Sequence, residues 1–87
     1  MSLRKFVKEL ESHLISNYGL LLSTKDIAVV LKYSSSGAVR KAHEHGHLPV
    51  PLYKFQNRRG FFATAKSVAI AIARLEEEEF DQKKLDA

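Results

Sequence analysis

Apolar residues recur at three- and four-residue steps along the first stretch of the chain. Leu3, Phe6, Val7, Leu10, Leu14 and Ile15 keep that spacing, and Arg4, Lys5, Lys8, Glu9 and Glu11 fill the other side. The pattern predicts an amphipathic helix over 3–17, with Ser2 as its N-cap and Gly19 where it stops. Leu20, Leu21 and Leu22 form an apolar run expected to be buried. Ser23-Thr24-Lys25-Asp26 then supplies a capping residue with a carboxylate three positions on, which starts a short helix over 24–32. Ile27, Ala28, Val30 and Leu31 are its apolar face.

The serine triplet Ser34-Ser35-Ser36 and Gly37 interrupt the pattern, because serine side chains compete for backbone hydrogen bonds and favour caps and turns. A second short helix follows over 36–45. Ala38, Val39 and Ala42 form its narrow inner face, and Gly46 is its stop. Pro49 and Pro51 hold their neighbours extended. Leu52–Phe55 and Phe61–Ala63 read as the arms of a β-hairpin around the polar turn Gln56-Asn57-Arg58-Arg59-Gly60. Thr64 caps a last helix over 65–80, with Val68, Ile72, Leu75 and Phe80 facing inward. Residues 81–87 read as a fraying tail.

A chain of 87 residues holds one domain and buries only about 60–65% of its unfolded surface. Its 45% hydrophobic and 28% charged content suits a globular domain rather than a disordered one. The absence of cysteine excludes a disulfide scaffold, cysteine-ligated zinc and thiol chemistry. No apolar stretch approaches the roughly 20 residues of a membrane span, and no signal-peptide pattern opens the chain. A cytoplasmic protein that does not engage membranes is the expectation.

Charge changes the picture through its distribution. Residues 1–60 carry ten Lys and Arg against four Asp and Glu, leaving +6, while residues 61–87 sum to −2. A basic body with an acidic end suggests a polyanionic partner on one surface. Helix, turn, helix, basic hairpin, helix is the outline of a winged helix-turn-helix: mainly α, with a small β-hairpin wing and an extra N-terminal helix. The physics suits duplex DNA, since an α-helix fits the major groove and a helix N-terminus faces phosphate well.

The stretches Ser23–Ala28, Tyr33–Arg40, Gly46-His47-Leu48-Pro49-Val50-Pro51 and Asn57–Phe62 carry a family likeness. They resemble the excisionase and AlpA-type members of the MerR-like winged helix-turn-helix group. The resemblance spans residues 20–75, and its most specific element is the Leu-Pro-x-Pro step after the second short helix. It implies a small DNA-binding regulator of transcription or recombination, of bacterial, phage or plasmid origin. It also implies the contacts. Ser35 and Ser36 would hold phosphate at the start of the recognition helix, Arg40 and Lys41 would enter or flank the major groove, and Arg58 and Arg59 would act from the wing. Lys54 belongs to the same basic set. Double-stranded DNA is the expected partner, with a homodimer possible.

Neither an enzyme nor a cofactor is expected. No glycine-rich phosphate loop and no nucleophile motif occurs, and a domain of this size leaves little room for a small-molecule pocket. His43, His45 and His47 alternate; on a helix, residues two apart point about 200° from each other, so no metal site is expected. The aromatic residues Phe6, Tyr18, Tyr53, Phe55, Phe61 and Phe62 are expected in the core or at its rim. Two other readings stand beside DNA binding. One is a protein-interaction adaptor, docking through the first and last helices, on which the basic face is incidental. The other is an RNA-binding module.

Overall fold

A computed structural model describes residues 3–86, with side chains as far as residue 76. Its elements are α1 (Leu3–Tyr18), β1 (Leu21–Ser23), α2 (Thr24–Leu31), α3 (Ser36–Glu44), β2 (Phe62–Thr64) and α4 (Ala65–Asp86). The protein is mainly helical, with one small antiparallel sheet of two strands in which Leu21 pairs with Thr64, Leu22 with Ala63 and Ser23 with Phe62. No helix among the described residues is long and apolar enough to cross a membrane. The expected caps at Ser2 and the inward Phe80 side chain lie outside what is described.

Helix starts follow local chemistry. Ser23 and Asp26 form a reciprocal capping box: the Asp26 amide donates to Ser23 Oγ at 3.2 Å, and the Ser23 amide donates to the Asp26 carboxylate at 3.2 Å. Ser35 Oγ accepts from the Ala38 amide at 3.1 Å and opens α3. Thr64 Oγ1 accepts from the Ser67 amide at 3.0 Å and opens α4.

Helix ends differ in cost. At Gly46 (φ +73°) the Gly46 amide returns to the His43 carbonyl and the His47 amide to the Ala42 carbonyl, the paired bonds of a Schellman stop. Lys32 adopts the same left-handed conformation, φ 65°, at the end of α2, with the Tyr33 amide bonded to the Ala28 carbonyl. A lysine there crowds its Cβ against the backbone, a strain glycine would not carry.

Four expectations are revised. Residues 20–22 are not a buried run: Leu20 is 69% exposed and Leu21 points outward, while Leu22 is fully buried. The segment is a strand, so its side chains alternate between faces. Leu75 does not face inward either; it is 56% exposed. The buried surface of α4 is instead built from Ala65, Val68, Ala69, Ala71 and Ala73, and α1 packs against this helix. The hairpin is reduced to one bridged pair, Tyr53 with Phe62, while β2 pairs along its whole length with β1. Finally, α4 runs on to Asp86 instead of ending near Phe80.

The core joins these elements. Leu14 of α1, Leu22, Ile27 and Ala28 of the β1–α2 segment, Val39 of α3, Ala63 of β2 and Ala65, Val68, Ala69 and Ala71 of α4 form one buried cluster. Val50, between the two prolines, is also buried, and Leu48 and Leu52 pack against the same cluster. Residues 48, 50 and 52 thus turn inward on the period of an extended chain. No aromatic side chain is among the buried ones described. The Ala65 amide donates to the Leu20 carbonyl at 2.9 Å, which puts the start of α4 beside the end of α1 and makes the two helices antiparallel.

Candidate nucleic-acid interface

Two segments present the basic residues: α3 and the 53–62 loop. Burial of Val39, with Ala38, Ala42 and His43 half-buried, turns the opposite side of α3 to solvent. Gly37, Arg40, Lys41 and Glu44 make up that outer side, at the three- and four-residue spacing of one helix face. Gly37 gives it a low profile, because a Cβ there would meet only Ser35 Oγ, at 3.6 Å. Ser35 is the N-cap, exposed but already engaged with the Ala38 amide, and Ser36 is the first helical residue, half-buried. The structure therefore gives Ser35 a capping role and leaves its remaining lone pair and hydrogen toward solvent.

The loop is held from both ends. The Tyr53 and Phe62 backbones exchange two hydrogen bonds of 2.8 Å. At the far end the Arg58 amide donates to the Phe55 carbonyl at 3.3 Å, and Asn57 takes φ 68° at the third position of that turn, where asparagine is tolerated better than most residues. Arg58 and Arg59 do not act alike. The Arg58 guanidinium lies 5.6 Å from the Phe55 ring centroid and 5.3 Å from that of Phe62, over two rings that themselves meet at 5.6 Å. These are cation–π distances, so Arg58 braces the loop. Arg59 and Lys54 are exposed.

The two segments meet through His43 and Phe61, whose ring centroids lie 5.4 Å apart at 52°. In the sequence His43 is one of three alternating histidines and Phe61 the first residue of the expected strand Phe61–Ala63. The aromatic residues three positions before Arg58 and four after it were the available signal for the Arg58 brace. Nothing local pointed to the His43–Phe61 contact, because it joins elements eighteen residues apart.

The histidines do not converge. His43 meets Phe61, and His45 and His47 face each other at 6.3 Å. Among the described residues no group of three or more potential ligands is gathered for a metal ion. Of the sequence-derived candidates, Arg40 and Lys41 share the outer face of α3, Arg58 and Arg59 share the loop turn, and Lys54 stands on the loop's first arm. Tyr53 and Phe55 add exposed aromatic surface to that arm, at 56% and 43%. Comparison with protein-family models, with curated proteins and with solved structures gives no match, so the reading of this surface rests on its geometry and charge.

Proposed function

We propose that this chain is a sequence-specific double-stranded DNA-binding protein of the winged helix-turn-helix kind, a small regulator of transcription or recombination similar to the excisionase and AlpA group. In this reading α2 and α3 form the helix-turn-helix, α3 enters the major groove and the 53–62 loop is the wing. The element order supports it: a strand before the helix pair, then a loop that returns beside that strand.

The observation that carries the proposal is the exposed face of α3, Gly37, Arg40, Lys41 and Glu44, coupled through His43 and Phe61 to a loop bearing Lys54, Arg58 and Arg59. A helix face needs reach and donors to read base edges. Arg40 has the fork that pairs with guanine O6 and N7, and Glu44, one turn on, can accept from cytosine N4. Gly37 lets the helix backbone approach closely. Ser35, Lys54 and Arg59 supply phosphate contacts, which position the protein and carry most of the salt-dependent affinity.

The test is selection from a random duplex library followed by titration at several salt concentrations. Arg40→Ala should cost about 1–3 kcal/mol on the selected site and relax one base position. Arg59→Ala should weaken all duplexes alike and flatten the salt slope. A library returning no enriched sequence, together with equal affinity for duplexes and for the Arg40→Ala/Lys41→Ala/Arg59→Ala variant, defeats the proposal.

A further inference from the structure

We infer that the outward face of the small sheet is a stacking platform for single-stranded DNA, with an unpaired base on Tyr53 and a phosphate of the same strand on Arg58. This surface is distinct from the outer side of α3, and the inference stands whether or not that helix reads a duplex.

Cross-strand pairing decides which residues share the face. Directly opposed residues of an antiparallel pair point to the same side, and so do residues two apart along a strand. Ser23 pairs with Phe62 and Phe62 with Tyr53, so these three form one row across the sheet. Leu21 and Thr64, each two positions along, extend it. Phe55, two positions from Tyr53, meets the Phe62 ring at 5.6 Å. Leu22 and Ala63 take the other side and are fully buried. Tyr53, Phe55 and Leu21 are left exposed.

The rings differ in what already covers them. Phe55 and Phe62 share the Arg58 guanidinium, at 5.6 and 5.3 Å from their centroids. Tyr53 has no ring or cation over it among the described residues. A base can therefore lie on Tyr53 without displacing a neighbour. Arg58 is held over the adjacent rings, and among the described residues its guanidinium donates to no acceptor. Its five N–H donors are free to meet phosphate.

Charge selects the ligand. No Asp or Glu occurs between Glu44 and Glu76, whereas Lys54, Arg58 and Arg59 fall within the loop. Asp26 borders the row at Ser23, and its carboxylate is engaged by the Ser23 amide. Aromatic faces among cations match a ligand made of flat π-surfaces joined by phosphates. In a duplex the bases cover one another's faces, so the platform calls for an unpaired strand. The hydroxyls of Ser23 and Thr64 are taken up by helix caps. That leaves the row poorly equipped to select a ribose 2′-hydroxyl, and the strand it fits is DNA.

The chain has no tryptophan, so Tyr53→Trp places a single reporter on the platform. Oligothymidylate should quench its emission, and an abasic strand of equal length should not, because phosphates without bases cannot stack. In anisotropy titrations with labelled oligothymidylate at fixed salt, Tyr53→Ala should bind about five- to hundredfold more weakly. Tyr53→Phe, which keeps the ring, should bind like the wild type. Circular dichroism melts check that the variants are folded, and Tyr53→Ala should match the wild type on a blunt duplex. A wild type that binds oligothymidylate but no duplex would defeat the regulator proposed above and leave this inference standing. Unchanged oligothymidylate affinity in folded Tyr53→Ala, equal quenching by the abasic strand, an equal loss on the duplex, or tighter binding of oligouridylate than of oligothymidylate overturns it.

Discussion

The imidazole of His43 packs on the ring of Phe61 at 5.4 Å, and this contact ties the inner side of α3 to the segment that closes the 53–62 loop. The angle of the loop relative to α3 depends on it, since the loop's own pairing is a single bridge. A tilted pair of this kind is worth about 0.5–1.5 kcal/mol beyond burial. A double-mutant cycle with His43→Ala and Phe61→Ala, read by urea denaturation, should return a coupling in that range. Coupling below the error of the cycle would mean that this ring contact does not fix the loop against α3.

Lys32 and Gly46 end their helices in the same left-handed conformation, at φ 65° and φ 73°. Lys32→Gly should stabilise the protein by about 0.5–1 kcal/mol, because it relieves the Cβ crowding that lysine carries there. Gly46→Ala should destabilise it by about 1 kcal/mol although a Cβ would meet nothing within 4 Å. Opposite signs in thermal melts are the outcome to look for. A destabilising Lys32→Gly would point to an unrecognised role for the lysine side chain.

Ser23 and Ser35 cap neighbouring helices with different completeness. Ser23 belongs to a two-way box with Asp26, whereas Ser35 makes a single bond to the Ala38 amide. Ser23→Ala should cost about 1–2 kcal/mol and Ser35→Ala about 0.5–1 kcal/mol. If Ser35 also meets phosphate, its alanine variant will lose more duplex affinity than Ser23→Ala does at equal fraction folded.

Leu22 is fully buried opposite the fully buried Ala63 in the paired strands. Leu22→Ala should cost about 2–5 kcal/mol, a large part of the stability of a chain this short. Ala69→Leu should also destabilise, by about 1–3 kcal/mol, since α4 has no room to spare on its inner side. Chemical denaturation of both variants checks the claim, and a neutral Ala69→Leu would show that α1 can move away from α4.

Arg58 and Arg59 offer the sharpest contrast between neighbours. Arg58→Ala removes the guanidinium from two phenylalanine rings and should lower stability by about 0.5–1 kcal/mol. Arg59→Ala should leave the melting curve unchanged. The same difference should appear as a slower hydrogen exchange of the loop amides in Arg59→Ala than in Arg58→Ala.

How much was legible from residues alone follows a physical boundary. The helices around Leu3–Tyr18, Thr24–Leu31 and Ser36–Glu44 could be read within a residue or two, because caps such as Ser23 and Ser35 and a stop such as Gly46 act on their own backbone neighbours. The exposed face bearing Arg40 and Lys41 was legible for a related reason: helical period and a small inner face leave those positions only one direction. Leu21–Ser23 was opaque, since three residues become a strand only when Phe62–Thr64 arrives to pair with them. Leu75 and the alanines of α4 were opaque too. Which side of an apolar helix is covered depends on where the other elements pack against it. Arg58 shows the limit most directly, for its place over Phe55 and Phe62 is a property of how the chain turns back on itself. Local hydrogen bonding and periodicity are written along the chain, whereas strand partnership, helix coverage and ring contacts arise from segments far apart in sequence.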